Sequence, residues 1–248
     1  MEILITNDDG YNSKGIAVLA RLMQQLGHVT IVAPDGPRSC MSNAITMTKR
    51  MSFRHIEHTD GRDVYITNGT PADCVKLAAN LLYKDRLPDL LVSGINHGSN
   101  ASVNVIYSGT IGACLVGTEH NIPSIGFSLN DHSADADFSE FEKFILPITR
   151  DLLSRGFEPE ICYNVNAPVG KILGYRFARH AHARWINEIA EFADEAGEPY
   201  YMMQGEFVNL EPEATDTDEY VMANSMIAIC PTTTDLTAYN TLSKLNAK

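Results

Sequence analysis

Short apolar runs alternate with segments of helical spacing over residues 1–166, and this alternation limits the fold more than any other feature. The runs EILIT (2–6), HVTIVAP (28–34) and DLLVS (89–93) have the length of strands. Between the first two runs, apolar side chains recur every three or four residues, at Ile16, Leu19, Leu22, Met23 and Leu26. Buried strands that alternate with helices form parallel sheets covered on both faces. The sequence therefore predicts an α/β fold with a mostly parallel sheet.

The remaining segments extend this prediction. Further strands are expected at 63–67, 122–129 and 161–166, and helices from Thr70 (N-cap) to Leu81, from Ser108 to His120, and over 138–152 with a kink at Pro147.

After Pro168 the pattern changes, because helical signals become weak and the strand-like segments 171–179, 200–208 and 225–231 have looser connections. We predict an α/β core at 1–168, and a β-rich extension at 169–248 that completes the single domain and pairs subunits.

Composition excludes several classes of protein. A formal net charge of −12 argues against binding of a nucleic acid polymer, which needs a basic face. No apolar run reaches the 18 or so residues of a membrane-spanning helix. MEILITNDDG lacks the basic region of a secretory signal, so we expect a cytoplasmic protein. The five cysteines are scattered and odd in number, and we expect them to be small buried side chains in a reducing compartment.

Oxygen-bearing side chains follow the predicted strands, where open α/β sheets bind their ligands. They belong to Asn7, Asp8, Asp9, Ser39, Ser42, Asn43, Asn96, Asn100, Ser108 and Thr110, and Arg38, His97, Gly10, Gly94, Gly98 and Gly109 lie among them. They contain almost no sulfur or lysine. We therefore expect an oxygen-rich site at one edge of the sheet.

The adjacent carboxylates Asp8 and Asp9 favour a bound cation. Like charges 4 Å apart repel by about 4 kcal/mol at an effective dielectric constant of 20, and a divalent ion removes that cost. Oxygen ligands favour Mg²⁺ or Mn²⁺ over zinc, with Ca²⁺ also compatible. The alternative is that the pair forms a turn or caps the helix after Lys14, but its place after the first strand favours the metal.

Ser108, Gly109 and Thr110 open a predicted helix, where free N–H groups and the helix dipole suit a phosphate. An ordinary serine or threonine cap is the alternative, and taken alone it is the better one. Asn43 and Asn96, taken alone, equally fit loop residues that bond their own backbone, and Ser39 is too generic to interpret.

The histidines and the tryptophan suggest little chemistry. His97 lies in the loop of the predicted site and could contact substrate, but a lone loop histidine is more often incidental. His180 and His182 fit surface positions without a carboxylate partner. Trp185 is expected in the core or in a subunit contact.

Five motifs in order give a more specific indication: TNDDG (6–10), APDGPRSCMSNAIT (33–46), TNGTPADCV (67–75), SGINHGSN (93–100) and YSGTIGA (107–113), followed by PTTTDLT at 231–237. Together they resemble the SurE family of stationary-phase survival proteins. The resemblance implies a metal-dependent nucleotidase that hydrolyses nucleoside 5′-monophosphates, and also 3′-monophosphates, in a Rossmann-like three-layer α/β/α fold. It also implies a C-terminal segment that is exchanged between subunits of a homodimer or homotetramer.

By motif position, the resemblance implies a site of nine residues. The metal ligands would be Asp8, Asp9, Ser39 and Asn96, with Asp8 and Asp9 also catalytic, and the phosphate contacts would be Asn43, Gly94, Ser108, Gly109 and Thr110. The chain departs from the family pattern at Asn104 and Val116, where acidic residues are usual. Neither position is an implied ligand, so these departures bear on substrate preference.

Three other classes fit less well. A receiver-like signalling module needs an aspartate after the third strand, where this chain has Ser93 and Asn96, and it would be about half as long. A covalent aspartyl phosphatase needs a DxD spacing, and a serine hydrolase needs a GxSxG motif.

Overall fold

A computed structural model describes residues 1–247. The strands of this range are β1 (Glu2–Thr6), β2 (His28–Pro34), β3 (Arg54–Thr59), β4 (Arg62–Thr67), β5 (Leu90–His97), β6 (Ser124–Leu129), β7 (Ile161–Ala167), β8 (Tyr175–Phe177), β9 (Ala183–Ile186), β10 (Ile189–Ala193), β11 (Pro199–Met203), β12 (Glu206–Asn209) and β13 (Ile227–Thr233). The α-helices are α1 (Lys14–Met23), α2 (Pro71–Leu77), α3 (Gly109–Glu119), α4 (Ser139–Arg155), α5 (Asp218–Ala223) and α6 (Tyr239–Asn246).

Nine of these strands form one sheet, in the order β3-β4-β2-β1-β5-β6-β7-β13-β8. The six strands β4, β2, β1, β5, β6 and β7 run parallel to one another. Antiparallel pairing occurs where β3 meets β4 and where β13 meets β7. The predicted α/β fold with a mostly parallel sheet is therefore confirmed.

Helices cover both faces of the sheet. On one face, α1 and α4 pack over a core that includes Ile5, Leu19 and Phe141. On the other face, α2 and α3 pack over Leu4, Val32 and neighbouring buried side chains. Full burial of such side chains contributes about 1.5–3 kcal/mol each. Because helices cover both faces, the carboxyl ends of the parallel strands are the part of the sheet left open for a ligand.

Helix starts follow local capping. Ser13 accepts a hydrogen bond from the Ile16 amide, which begins α1. Thr70 and Asp73 form a reciprocal capping box ahead of α2, so the predicted cap at Thr70 is confirmed. Ser108 accepts from the Ile111 amide and begins α3. Each cap satisfies one backbone N–H that the helix leaves unpaired.

The structure differs from the sequence prediction at several elements. Strand β3 was not predicted, because all six of its side chains are exposed and it lacks an apolar face. The predicted strand at 200–208 is two strands, since β11 pairs with β10 whereas β12 pairs with β9. The segment after Pro168 also contains α5 and α6, and its β13 lies inside the main sheet between β7 and β8.

Asp218 anchors this C-terminal segment. Its fully buried carboxylate accepts hydrogen bonds from the amides of Ser102 (2.7 Å) and Ala181 (2.9 Å). It also lies 3.0 Å from His180 Nδ1. The expectation that His180 has no carboxylate partner was therefore wrong, whereas His182 is exposed as expected. The two residues of this pair are 38 positions apart, and the sequence alone gives no sign of their contact.

Four of the five cysteines are buried, as predicted, but Cys40 is exposed. All five are free thiols. Among the described residues, no helix combines the length and the apolar character needed to cross a bilayer.

Candidate active site

Asp8 lies at the end of β1 with its side chain buried against the start of α3. Thr110 Oγ1 donates a 2.6 Å hydrogen bond to Asp8 Oδ1. A Cβ atom on Gly109 would lie only 2.9 Å from Asp8 Cβ, so the close approach of the helix to this carboxylate requires glycine. The first predicted metal ligand and the predicted phosphate cradle are therefore in contact.

Burial raises the pKa of Asp8 to about 6. The hydrogen bond from Thr110 lowers this pKa, whereas the neighbouring charge of Asp9 raises it further. Within residues 1–247, no lysine or arginine forms an ion pair with Asp8 or Asp9. Arg38, whose backbone amide bonds the Asp8 carbonyl, has its guanidinium paired with Asp35 at 2.7 Å. A buried carboxylate that lacks a cationic side chain is suited to a bound cation.

Asp9 is held by His97. Asp9 Oδ2 lies 3.0 Å from His97 Nδ1 and accepts a 3.4 Å hydrogen bond from the His97 amide. The imidazole packs edge-on against Phe138, with 5.2 Å between ring centroids. Its Nε2 is buried without a hydrogen-bond partner in the described chain. The interpretation of His97 as incidental was therefore wrong, because this residue orients one of the two aspartates.

Asn96 lies in β5 and presents an oxygen. Its Nδ2 donates to the Gly98 carbonyl at 2.8 Å, which fixes the orientation of the amide. Over the described residues, no other residue donates to Asp8 Oδ2, Asp9 Oδ1 or Asn96 Oδ1. Each of the three side chains thus has one atom anchored and one oxygen free. Such a donor set fits Mg²⁺ or Mn²⁺.

A loop that carries Ser39 and Asn43 closes the same edge. The Arg38 amide donates to the Asp8 carbonyl at 2.7 Å, and the Ser42 amide donates to the Tyr107 carbonyl at 3.1 Å. The loop also contacts α3, where a Cβ on Gly112 would lie 2.2 Å from the Ser42 carbonyl oxygen. Ser39 and Asn43 are exposed on this loop, and their roles as ligands remain predictions.

The first turn of α3 is both a cap and a candidate cradle. Ser108 Oγ accepts from the Ile111 amide at 3.0 Å, so the ordinary cap is present. The amides of Gly109 and Thr110 precede the first hydrogen bonds of the helix and have no partner within it. Gly94, the remaining predicted contact, is buried in β5 beside Phe127 of β6.

The sequence of the chain matches a known protein family. The sequence profile described as Survival protein SurE matches residues 3–187, which is most of the chain. The chain belongs to the SurE family. The family predicted from the motifs is therefore confirmed.

Several SurE relatives match over almost their full length. The 5′-nucleotidase SurE of Cytophaga hutchinsonii is 43% identical over 247 residues, which covers 98% of this chain and 95% of that protein. The 5′-nucleotidase SurE of Phocaeicola vulgatus is 42% identical, with 98% and 95% covered. The crystal structure of the SurE protein from Aquifex aeolicus superposes with a TM-score of 0.85 at 30% identity, covering 100% of this chain and 99% of that one.

The two departures from the SurE pattern have structural explanations. Asn104 Oδ1 accepts a 2.9 Å hydrogen bond from Trp185 Nε1, and therefore links the 3₁₀ turn at Ser102–Ile106 to β9. Trp185 also packs edge-on against Phe207, in keeping with its predicted role in packing. Val116 lies in α3 and is buried among the apolar side chains between this helix and the sheet. Neither residue contacts the aspartates.

Asn7 was expected at this edge of the sheet, but no role in the site was predicted for it. Its Nδ2 donates to the Gly10 carbonyl (3.0 Å) and to Ser13 Oγ (2.8 Å), and its Oδ1 accepts from the Gly10 amide. It thereby fixes the loop that displays both aspartates. Its place directly before the acidic pair was the available signal, since asparagine commonly bonds the backbone of a following turn.

Proposed function

We propose that this chain is a metal-dependent 5′-nucleotidase that hydrolyses nucleoside 5′-monophosphates, with Mg²⁺ or Mn²⁺ as its cofactor. Nucleoside 3′-monophosphates are proposed as a second group of substrates. The names of the SurE relatives support the activity. The structural support is the 2.6 Å bond from Thr110 to Asp8, because it joins a candidate metal site to a candidate phosphate site.

The proposed metal ligands are Asp8, Asp9, Ser39 and Asn96. When bound, the ion would offset charge on the phosphate oxygens and make water a stronger acid. Phosphoryl transfer depends mainly on positioning and charge neutralisation, so a site of fixed oxygens and amides suits it.

The chain's own groups would hold the phosphate. The free amides of Gly109 and Thr110 point from a helix N-terminus, where backbone dipoles favour an anion. Asn43 and Gly94 are proposed to contact the remaining oxygens, with Ser108 shaping the turn. Together these groups would align the ester for attack from one direction.

Asp9 is the proposed base. Its Oδ1 is the free oxygen proposed to bind the ion, so its Oδ2, which lies 3.0 Å from His97 Nδ1, would take a proton from the attacking water. Asp8, which is more deeply buried, is proposed to act as a ligand only.

Phosphate release from a panel of nucleoside 5′- and 3′-monophosphates tests the function. We expect EDTA to abolish release, and Mg²⁺ or Mn²⁺ to restore it, because the free oxygens of Asp8, Asp9 and Asn96 are hard ligands. Phosphate release is read by a colorimetric assay. Activity that survives exhaustive EDTA treatment would refute the metal requirement, and no release with any metal would refute the nucleotidase.

We further propose that the C-terminal segment joins subunits into a homodimer or homotetramer. Exposed apolar side chains in this segment support the proposal, at Ile189, Phe192, Tyr200, Tyr201, Met202, Met203, Leu236, Tyr239, Leu242 and Leu245. Apolar patches of this kind commonly mark interfaces.

Leu236→Glu should lower the molar mass measured by light scattering during size-exclusion chromatography, because a charge is costly to bury in an interface. Met47→Glu is the matched control, since Met47 is also exposed but lies outside the segment. Equal masses for the wild type and Leu236→Glu, or a monomeric wild type, would contradict this proposal.

A cytoplasmic location is also proposed. Five free thiols, four of them buried, support a reducing compartment.

A further inference from the structure

Three histidines surround one carboxylate at the edge of the sheet opposite the C-terminal strands. Asp63 Oδ1 lies 2.9 Å from His55 Nε2 and 2.8 Å from His58 Nδ1. Its other oxygen, Oδ2, lies 3.3 Å from His28 Nε2. We call these four residues the Asp63 cluster. It lies outside the proposed active site and has no part in the proposed mechanism.

A β-bulge creates this arrangement. Residues three apart in a regular strand point to opposite faces, so His55 and His58 should diverge. The register of β3 against β4 shifts between His55 and Glu57, and the extra residue returns both imidazoles to one side. His55 also stacks on Tyr65, with 4.4 Å between ring centroids, which holds its ring in place.

The spacing of the cluster suits a metal ion. The ligand atoms of His55, His58 and Asp63 all lie within 4.8 Å of one another. Bonds of about 2.1 Å at tetrahedral angles put neighbouring ligand atoms roughly 3.4 Å apart. A small outward movement of exposed side chains would therefore replace the present hydrogen bonds by metal bonds. His58 is 71% exposed, so an ion can enter from solution.

We propose that the Asp63 cluster binds one divalent transition-metal ion of the imidazole-preferring type, with Zn²⁺ as the representative. The ligands are His55 Nε2, His58 Nδ1 and Asp63 Oδ1, and water completes the coordination. His28 orients Asp63 through Oδ2, as partners of ligating carboxylates commonly do. The two nitrogen ligands separate this site from the oxygen site at Asp8, which prefers Mg²⁺ or Mn²⁺.

Calorimetric titration of Zn²⁺ into the full-length, tag-free protein tests the proposal. Excess Mg²⁺ keeps the oxygen site saturated. Co²⁺ provides a second probe, because its visible absorption becomes much stronger when a protein site makes it four-coordinate. We expect one Zn²⁺ per chain in the wild type. The variant His55→Asn/His58→Asn should bind Zn²⁺ with an affinity at least about 100-fold below that of the wild type. Loss of a residue that only bonds a metal ligand already lowers affinity by about 10–100-fold, and this variant loses two ligands.

His182→Asn is the matched control, because His182 is exposed and outside the cluster, and it should keep the wild-type affinity. Both variants change exposed side chains, and equal melting temperatures without Zn²⁺ would show that the fold is retained. The proposal is overturned if the wild type binds no Zn²⁺ saturably. It is equally overturned if the double variant keeps the wild-type stoichiometry and affinity, which would place the ion elsewhere, for instance at His180, Asp218 and Cys230.

Discussion

An Asp8→Asn variant is expected to hydrolyse nucleoside 5′-monophosphates with a kcat/KM about 10³-fold lower than that of the wild type, at one fixed Mg²⁺ concentration. The substitution replaces a charged ligand by a neutral amide at the point where the candidate metal site meets α3. It also alters the oxygen that accepts the 2.6 Å bond from Thr110. Initial rates over a range of substrate and Mg²⁺ concentrations would separate weaker metal binding from a slower chemical step.

Asp85→Asn is the matched control, because Asp85 is an exposed aspartate outside the site and should retain the wild-type rate. The Asp8→Asn protein should unfold at a temperature no lower than the wild type in EDTA, because an amide costs less to bury than a charge. A fully active Asp8→Asn enzyme at limiting Mg²⁺ would exclude Asp8 as a ligand.

An Asp218→Ala variant is expected to lose about 3–5 kcal/mol of unfolding free energy, because each buried donor left without an acceptor costs about 1–3 kcal/mol. The fully buried carboxylate accepts bonds from two chain segments through Ser102 and Ala181, and from the imidazole of His180. Truncation leaves those donors without an acceptor. Urea unfolding followed by circular dichroism would measure the loss.

Asp216→Ala provides the comparison, since Asp216 is two residues away and its exposed carboxylate pairs with Arg179 at 2.9 Å. Exposed ion pairs contribute little, so this variant should unfold close to the wild type. Equal stability of Asp218→Ala and Asp216→Ala would show that the buried contacts do not stabilise the fold.

The effect of Asp218 should depend on pH. Burial raises its pKa, but the hydrogen bonds from His180 and the backbone outweigh burial, and the net pKa lies below the ordinary value. A carboxyl group with a lowered native pKa stabilises the fold above its unfolded-state pKa. That stabilisation is lost as the pH falls through the native pKa. The difference between wild type and Asp218→Ala should therefore shrink in acid.

The sheet and the position of the site were predictable because both follow from local patterns. β1, β2 and the first part of β5 (90–92) are mainly apolar runs, and such runs become the buried centre of a parallel sheet. Parallel strands bring their carboxyl ends to one edge, so Asp8 and Asn96 were expected to lie near each other. The structure places both at that edge.

The contacts that were missed depend on pairing over long separations in sequence. His97 lies 88 residues after Asp9, and only the register of β5 beside β1 brings the two together. Strand β3 gave no signal, because exposed polar side chains do not show which strand they will pair with. The spacing of apolar residues indicates which face of one segment is buried. It does not indicate which other segment that face will pack against or pair with.

The place of β13 in the sheet constrains how the chain folds during synthesis. β13 pairs with β7 along six residues, yet it follows β7 by about sixty positions and is the last strand of the described chain. Until the ribosome has released residues 227–233, β7 remains an open edge whose unpaired N–H and C=O groups can bind other extended chains. The nascent protein is therefore exposed to aggregation through β7 during the interval between the formation of the sheet from β4 to β7 and the arrival of β13.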